Sequence, residues 1–331
     1  MSEGASPSRA ETLAGSVRAG DRPALARAIT LIESLRPADA DEADRLLTLL
    51  EDAPRHAVIV GVTGVPGVGK STFIERLGLH LCEQGRRVAV LAIDPSSRIS
   101  GGSILGDRTR MARLSGHERA FIRPSPSGGT LGGVARRTRE AARLCEAAGF
   151  DVVLIESVGV GQSETVVADC CDCLLALELP GAGDELQGVK RGLLEVVDVV
   201  AVNKADGDLQ ARAERNPPAV RSALHVLRAG RAPVVTTCSA ANGAGVVEVW
   251  EEVVRFVDAQ RGSGAFDQRR RSQEVRWMRT LVEEHLAALG SRHPGVVRAR
   301  REIEGRAQAG AISARAGARR VVEAMLMAGA A

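Results

Sequence analysis

The sequence predicts an α/β fold in which a mostly parallel β-sheet is covered by helices on both faces, with further helices before and after it. Three observations support this prediction. From residue 57 onward, short apolar runs alternate with stretches of helical pattern. The apolar runs are nearly continuous, as in parallel strands buried on both faces. A glycine-rich loop directly follows the first of them and leads into a helical pattern.

The chain begins with helical patterns that precede the sheet. Residues 1–20 are rich in Ser, Gly and Ala, and we expect them to fray. A helix is predicted from Asp21, which can cap it, with Pro23 in the first turn, and it ends at Pro37. A second, leucine-rich helix follows. We expect residues 1–55 to form a helical extension that packs against the next domain.

Residues 56–260 are assigned to the central α/β domain. Six strands are predicted there, and the stretches between them are long enough for crossover connections. The predicted strands are Ala57–Val62, Val88–Ile93, Val152–Ile155, Leu174–Leu179, Val196–Val202 and Val234–Thr237. An amphipathic helix from Val246 to about Val257 closes the domain.

Residues 261–331 are predicted to form a C-terminal helical arm that begins with a linker at residues 262–264. Three helical segments follow, at Phe266–Leu289, Val296–Ala309 and Ile312–Met327. Their apolar stripes are too narrow for an independent core. We therefore expect the arm to bury its stripe against a second copy, in a homodimer.

The amino-acid composition argues against some classes of binding partner. The net charge is +3, from 44 basic and 41 acidic residues, and only 2% of residues are aromatic. This balance predicts no nucleic-acid partner. No apolar run approaches the ~18 residues of a membrane span, and the N-terminal residues lack the apolar core of a secretion signal. The six cysteines do not follow a secreted disulfide pattern, so we expect a cytoplasmic protein without a membrane partner.

The glycine-rich loop matches G-x-x-x-x-G-K-[ST], the phosphate-binding loop (P-loop) of nucleotide hydrolases. Its backbone N–H groups can surround phosphates, and Lys70 is expected to bridge the β- and γ-phosphates as a catalytic residue. The Ser71 hydroxyl is a candidate Mg²⁺ ligand. The nucleotide-binding residues predicted here are Gly64, Val65, Pro66, Gly67, Val68, Gly69, Lys70, Ser71 and Thr72.

A second motif predicts that the base is guanine, so that the ligand is GTP or GDP. Asp206 accepts hydrogen bonds only, which suits the two donors on the guanine edge. Asn203 can reach the opposite edge of the base or tie its own loop to the P-loop, and the Lys204 stem can cover the ring. Ser239 and Ala240 follow the next strand, where a backbone N–H can reach the guanine oxygen.

Carboxylates at strand ends are candidate metal ligands. Asp94 and Glu156 end two strands, and Asp107 lies in a glycine-rich loop. Because the carboxyl ends of parallel strands share one crevice, we expect Asp94 and Glu156 to approach Mg²⁺ directly or through water. Asp94 could instead cap a turn before Pro95, and Glu156 could be a buried carboxylate with another partner.

Two loops are candidate switches. Gly159, in the loop 158–163, can offer its N–H to the γ-phosphate. Gln162 could orient the attacking water, or it could be a solvated loop residue. The loop 180–191 is rich in glycine and charge, which suits a mobile loop or an ordinary strand-to-helix connection.

Three closely spaced cysteines, Cys170, Cys171 and Cys173, could suggest a metal site. They enter an apolar strand, where alternate side chains point to opposite faces. Small buried hydrophobic residues are therefore the better interpretation.

Five segments together closely resemble the MeaB/ArgK-type family of P-loop GTPases, whose human member is the methylmalonic aciduria type A protein. They are Gly64–Thr72, Asp94–Ser97, Glu156–Glu164, Pro180–Gly192 and Asn203–Gly207. The resemblance runs from about residue 20 to the C-terminus. It implies a Mg²⁺-dependent GTPase that gates adenosylcobalamin loading and protects or reactivates an adenosylcobalamin-dependent acyl-CoA mutase of the methylmalonyl-CoA mutase type. An adenosyltransferase is a possible further partner.

The resemblance also implies roles for single residues. Asp94, Asp107 and Glu156 match the family's Mg²⁺-coordinating acids, and Glu156 is counted with the catalytic residues. Lys190, in the third switch loop, is implied to enter the active site when the mutase binds. Ser157 departs from the family, where Thr is usual. Two alternatives remain: a nickel-insertion GTPase, and a kinase linked to arginine transport.

Overall fold

The computed structural model describes residues 8–34, 36–94, 111–126, 131–157, 167–181, 193, 196–215, 217–218 and 233–328. The chain divides into two compact units, residues 1–270 and 271–331. The first unit contains the β-sheet and the helices that cover it. The second begins inside the helix Ala265–Arg292 and contains the two helices after it.

In chain order, helices precede the sheet, separate several of its strands and follow it. The helices are α1 (Arg9–Arg18), α2 (Arg22–Glu33), α3 (Pro37–Leu49), α4 (Lys70–Glu83), α5 (Ala112–Ser115), α6 (Leu131–Ala147), α7 (Val246–Gly262), α8 (Ala265–Arg292), α9 (Pro294–Gln308) and α10 (Ala314–Ala328). The strands are β1 (Val58–Thr63), β2 (Val88–Asp94), β3 (Ala120–Pro126), β4 (Val152–Glu156), β5 (Cys173–Glu178), β6 (Val199–Val202) and β7 (Val234–Thr237). A short 3₁₀ helix spans Gly207–Leu209.

The seven strands form one sheet in the order β3-β2-β4-β1-β5-β6-β7, and every pair is parallel. This arrangement confirms the predicted α/β fold. β1 lies at the centre, with Val60 opposite both Leu154 of β4 and Cys173 of β5. One face packs against α1, α2, α3 and α6, and the other against α4 and α7. The carboxyl ends of β1, β4, β5 and β6 therefore lie at one edge, where a ligand crevice is expected.

Strand β3 is the one described strand that the sequence analysis did not predict. It contains Pro124 and Pro126, which cannot donate to a neighbouring strand. Proline is nevertheless tolerated in an edge strand, and β3 is the outermost strand next to β2. The two prolines are therefore the reason why the sequence pattern did not predict this strand.

The expectation that residues 1–20 fray is wrong for residues 9–18, which form α1. Ser8 caps this helix by accepting from the Glu11 amide, and the Glu11 carboxylate accepts from the Ser8 amide in return. The apolar face of Ala10, Leu13 and Val17 is buried in the core. Capping and burial together stabilise a short helix that its composition alone does not favour.

The second unit contains helical segments with few buried side chains. Gly290 of α8 lies close to Met325 of α10, since a Cβ there would be 2.7 Å from the Met325 methyl carbon. A Cβ at Gly317 would be 3.1 Å from Ile303 of α9. The glycines thus permit close packing among these three helices.

Candidate functional site

The glycine-rich loop joins the end of β1 to the start of α4. Gly64, Gly67 and Gly69 have φ values of 141°, 79° and 102°. A Cβ on Gly64 would lie 2.3 Å from the Leu177 carbonyl oxygen, and one on Gly69 would lie 2.7 Å from the Asn203 amide nitrogen. Only glycine fits at these two positions, because both the backbone conformation and the neighbouring atoms exclude a side chain.

Lys70 is the first residue of α4 and is only 8% exposed. Its Nζ atom donates to the carbonyl oxygens of Gly64 at 2.8 Å and Val65 at 3.2 Å. The ammonium group therefore lies across the loop, close to the N-terminus of α4. A cation and a helix N-terminus at one point create positive potential suited to phosphate oxygens.

Ser71 and Glu156 meet beside the loop. The Ser71 hydroxyl donates to Oε1 of Glu156 at 2.7 Å. Glu156 ends β4, which is adjacent to β1, and is 8% exposed. Two oxygen atoms of the kind that Mg²⁺ binds thus lie side by side, and a protein commonly supplies one or two such ligands and leaves the rest to phosphate and water. The donor set thus fits the metal.

Asn203 is the buried connection between the phosphate loop and the second motif. Its Nδ2 donates to the Val68 carbonyl at 2.8 Å, and its Oδ1 accepts from the Ala240 amide at 2.9 Å. Its own backbone amide donates to the Glu178 carbonyl at 2.8 Å. Of the two roles considered for Asn203, the structure shows the tie to the P-loop.

Lys204 and Asp206 lie on the loop after β6. Lys204 has a φ of 60°, which is rare for a residue with a side chain, and is exposed. The Ala205 amide donates to the Cys238 carbonyl at 3.0 Å, which fixes this loop against the end of β7. Among the described residues, no donor is hydrogen-bonded to the Asp206 carboxylate, so it is available to a ligand.

The amides of Ser239 and Ala240 are used within the chain. The Ser239 amide donates to the Ala244 carbonyl, and the Ala240 amide donates to Asn203. Contact of these two residues with a nucleotide stays a prediction.

Several predicted site residues lie outside the described residues: Asp107, Gly159, Gln162 and Lys190. Asp94 ends β2, which places it at the same sheet edge as Glu156, but its side chain is not described. The structure therefore brings together the P-loop, Glu156, Asn203 and Asp206.

Glu178 is a buried carboxylate that sequence reasoning missed. It ends β5, between the strands that carry the P-loop and Asn203, and is 5% exposed. Burial raises its pKa to about 7. The pattern that pointed to Glu156, an acid at the end of an apolar strand, occurs here as well and could have identified it.

The six cysteines are free thiols and all are buried. Burial raises the pKa of Cys171 and Cys173, which keeps both thiols protonated and disfavours metal binding. Across the ranges that the structure describes, no three His, Cys, Asp or Glu side chains are grouped to hold a metal ion. The interpretation of these cysteines as small buried residues fits both findings.

Within the described part of the chain, no helix combines the length and apolar character that crossing a membrane requires.

Comparison with known proteins agrees with this geometry. Residues 25–294 match the family model described as "Methylmalonyl Co-A mutase-associated GTPase MeaB". The chain is 49% identical over 314 residues to "Probable GTPase Rv1496" of Mycobacterium tuberculosis, covering 94% of each protein. It is 50% identical over 230 residues to "GTPase ArgK" of Escherichia coli, covering 69% of this chain and 70% of that one.

A solved structure supports the same assignment. The crystal structure of a protein named "LAO/AO transport system kinase" has a TM-score of 0.73 and 36% sequence identity, covering 96% of this chain and 99% of that one. The family model spans most of the sequence, the two sequence relatives carry GTPase names, and the solved relative shares the fold. The chain belongs to the MeaB family of P-loop GTPases and is a guanine-nucleotide-binding GTP hydrolase.

Proposed function

We propose that this GTPase is the G-protein chaperone of an adenosylcobalamin-dependent acyl-CoA mutase of the methylmalonyl-CoA mutase type. The observation that carries the proposal is the match of residues 25–294 to the mutase-associated family model. In this role, the GTPase gates the loading of adenosylcobalamin and protects or reactivates the mutase. An adenosyltransferase that supplies the cofactor is a further partner in the proposal. The six free thiols fit a reducing compartment such as the cytoplasm.

The nucleotide is held from both ends. The P-loop amides and Lys70 bind the phosphates, and Asp206 accepts from the N–H groups on the guanine edge. The bond from Asn203 to Val68 fixes the distance between these two parts of the site. Lys204 covers the face of the base with its aliphatic stem.

The Mg²⁺ ion would be held by Ser71 and by Glu156, whose side chains already lie 2.7 Å apart. When bound, the ion supplies positive charge that neutralises the phosphate oxygens. Asp94 and Asp107 complete the proposed ligand set, directly or through water. The Lys70 ammonium, which donates to the Gly64 carbonyl within the P-loop, adds a second positive charge.

Hydrolysis proceeds by in-line attack of water on the γ-phosphate. In the proposal, Gln162 orients the water and the Gly159 amide binds the γ-phosphate. Lys190 enters the site only when the mutase engages and stabilises the charge that develops on the leaving group. Hydrolysis without the mutase is then slow, as for other GTPases that receive such a group from a partner.

The decisive experiment measures GTP hydrolysis with and without purified acyl-CoA mutase. We expect the mutase to accelerate the wild-type protein and to leave the Lys190→Ala variant at its basal rate, while basal rates of the two proteins agree. Arg191→Ala is a neighbouring control that should keep the stimulation. Absence of stimulation by all candidate mutases would refute the chaperone role, and a large basal loss in Lys190→Ala would refute the role of Lys190.

We also propose that the arm at residues 261–331 forms a homodimer. Val275, Met278, Val282 and Leu286 repeat along one face of α8 and are each about half exposed, at 46–56%. An apolar stripe of this length suits a second copy of the same helix. Sedimentation of a Met278→Glu/Val282→Glu variant should give a monomer. Ala287→Glu, at an exposed position of α8 that faces away from the stripe, should remain dimeric. A monomeric wild-type protein would contradict the proposal.

A kinase linked to arginine transport is the second candidate, because the solved relative is named as a transport-system kinase. Incubation with labelled GTP and candidate acceptor proteins distinguishes the two functions. Phosphate released to water supports the GTPase chaperone, whereas phosphate transferred to protein supports the kinase.

A further inference from the structure

The loop between β7 and α7 is closed by hydrogen bonds from nearly all of its backbone amides. The donors and acceptors are Ser239 N to Ala244 O (2.8 Å), Ala240 N to Asn203 Oδ1 (2.9 Å), Asn242 N to Ser239 Oγ (3.4 Å), Gly243 N to Ser239 O (2.8 Å) and Ala244 N to Asn242 Oδ1 (2.9 Å). The amide of Ala241 has no acceptor among the described residues. Since this residue is exposed, its N–H is the one backbone donor of residues 239–244 that remains for a ligand.

Ala241 is fixed on both sides. The peptide before it is anchored through the Ala240 amide, which donates to Asn203. The carbonyl after it accepts a hydrogen bond of 2.8 Å from Nη2 of Arg76. Arg76 belongs to α4, the helix that starts at Lys70 of the P-loop. No carboxylate forms a salt bridge with Arg76 within the described ranges, so the carbonyl of Ala241 is the partner that orients its guanidinium.

The anchors of Ala241 therefore come from the two elements that bind the rest of the nucleotide. Asn203 belongs to the guanine motif and is tied to the P-loop at Val68. Arg76 belongs to the helix whose N-terminus faces the phosphates. A donor held in this way keeps a fixed position relative to both phosphate and base, and a preorganised hydrogen bond loses little entropy on binding.

We propose that Arg76 is a positioning residue for guanine recognition: it holds Ala241 so that the Ala241 N–H donates to the carbonyl oxygen of the base. The inference deepens the proposed mode of nucleotide binding and rests on a guanine ring bound at Asp206. Adenine carries an amino group where guanine carries this oxygen, so the Ala241 donor would face another donor. Arg76 thus contributes to the choice of guanine over adenine without touching the base.

The test compares how Arg76→Ala changes the Kd of three nucleotides, measured by calorimetry or by competition with a fluorescent nucleotide. GDP and IDP both carry the oxygen, and IDP lacks only the 2-amino group. In 6-thio-GDP a sulfur, which is a weak acceptor, replaces the oxygen while the donors for Asp206 remain. We expect Arg76→Ala to weaken GDP and IDP by roughly three- to tenfold, the worth of one net hydrogen bond. Binding of 6-thio-GDP should change by less than about twofold.

Three further variants complete the design. Arg76→Met keeps most of the side-chain stem but no donor and should behave as Arg76→Ala, which guards against loss of folding in one variant. Arg76→Lys keeps a donor and should recover most of the GDP affinity. Arg255→Ala, whose guanidinium pairs with Glu252 on the surface of α7, should bind all three nucleotides as the wild type does.

Equal weakening of all three nucleotides would overturn the inference, because it would indicate general damage to the loop. Unchanged GDP binding in both Arg76→Ala and Arg76→Met would overturn it as well. In either case, a preference of the wild-type protein for GDP over ADP would still support the proposed guanine site. A wild-type protein that binds GDP and ADP equally would instead refute the guanine site, and the role of Arg76 with it.

Discussion

The Asn203 side chain donates a hydrogen bond of 2.8 Å to the carbonyl oxygen of Val68, across 135 positions of sequence. The same side chain accepts from the Ala240 amide, so one buried amide group joins the P-loop, the guanine motif and the loop after β7. Asn203 is 1% exposed, so both bonds are shielded from bulk solvent. A single buried side chain therefore joins the three loops that are proposed to hold the phosphates and the base.

Replacement of Asn203 by Ala should weaken nucleotide binding without unfolding the protein. The change removes the donor to Val68 and the acceptor for Ala240 and leaves both partners buried, at about 1–3 kcal/mol for each unsatisfied group. Part of this free-energy loss lowers the stability of the fold, and the rest weakens binding. We therefore expect the Kd for GDP to rise by one to two orders of magnitude in titration calorimetry. Gln210→Ala, which removes an exposed amide bonded to Glu214, is the control and should bind normally. Near-normal affinity of Asn203→Ala for GDP would show that nucleotide binding does not need the hydrogen bonds from Asn203 to Val68 and Ala240.

Asp206→Asn should change the base that is preferred. In the proposed binding mode the carboxylate accepts from two N–H groups of guanine, whereas Asn presents a donor and an acceptor. Xanthine carries an oxygen where guanine has its amino group, so it matches Asn better. We expect GDP binding to weaken at least tenfold and XDP binding to strengthen in parallel, as measured by competition. If the variant loses both nucleotides equally, Asp206 acts on loop structure and not on base choice.

Sequence reasoning located the sheet and the motifs because both depend on residues close together in the chain. The strands from Val58 and Val152 are continuous apolar runs, and the P-loop is one short segment. Strand β3 was missed because an edge strand tolerates prolines that the pattern excludes. The bonds from Asn203 to Val68 and from Arg76 to Ala241 join residues 135 and 165 positions apart, and the residue types alone do not encode which distant partner is chosen.

Arg270 should be among the residues that matter most for stability, although it lies far along the chain from the nucleotide motifs. Its guanidinium donates to both oxygens of Asp172 at 2.7 Å, to Glu146 at 3.2 Å and to the carbonyl of Ala57 at 2.9 Å. Asp172 in turn accepts from the Ile59 amide of β1. The cluster of Arg270, Asp172 and Glu146 thus connects the first turns of α8 to the amino ends of β1 and β5.

Arg270→Ala leaves Asp172 and Glu146 buried without their main cation, and removal of one partner from such a cluster costs about 3–5 kcal/mol. We expect a loss of that order in the free energy of unfolding, measured with urea. Arg300→Ala removes the exposed pair between Arg300 and Glu304, and should change stability by less than about 1 kcal/mol. Equal losses in the two variants would show that the Arg270 cluster is no more than a surface salt bridge.

Glu178 predicts an unusual dependence of stability on pH. Its pKa in the folded protein is raised by burial from the ordinary 4.5 to about 7. Between these two values the folded state binds more protons than the unfolded state, so the contribution of Glu178 to stability decreases as pH rises through this window. Above pH 7 the carboxylate is charged in both states and the full penalty of burying the charge is present.

Glu178→Gln keeps the shape of the side chain and removes the charge, so it should stabilise the protein at high pH. At about 1.4 kcal/mol for each unit of pKa, we expect the variant to exceed the wild type by roughly 2–3 kcal/mol at pH 8 and by less than about 1 kcal/mol at pH 5. Urea unfolding of both proteins across this range gives the difference directly, and the titrations of all other carboxylates cancel in it. The exposed Glu251, replaced by Gln, is the matched control and should give a constant difference near zero. Parallel stability curves for Glu178→Gln and the wild type would mean that Glu178 ionises in the folded protein as it does in the unfolded chain.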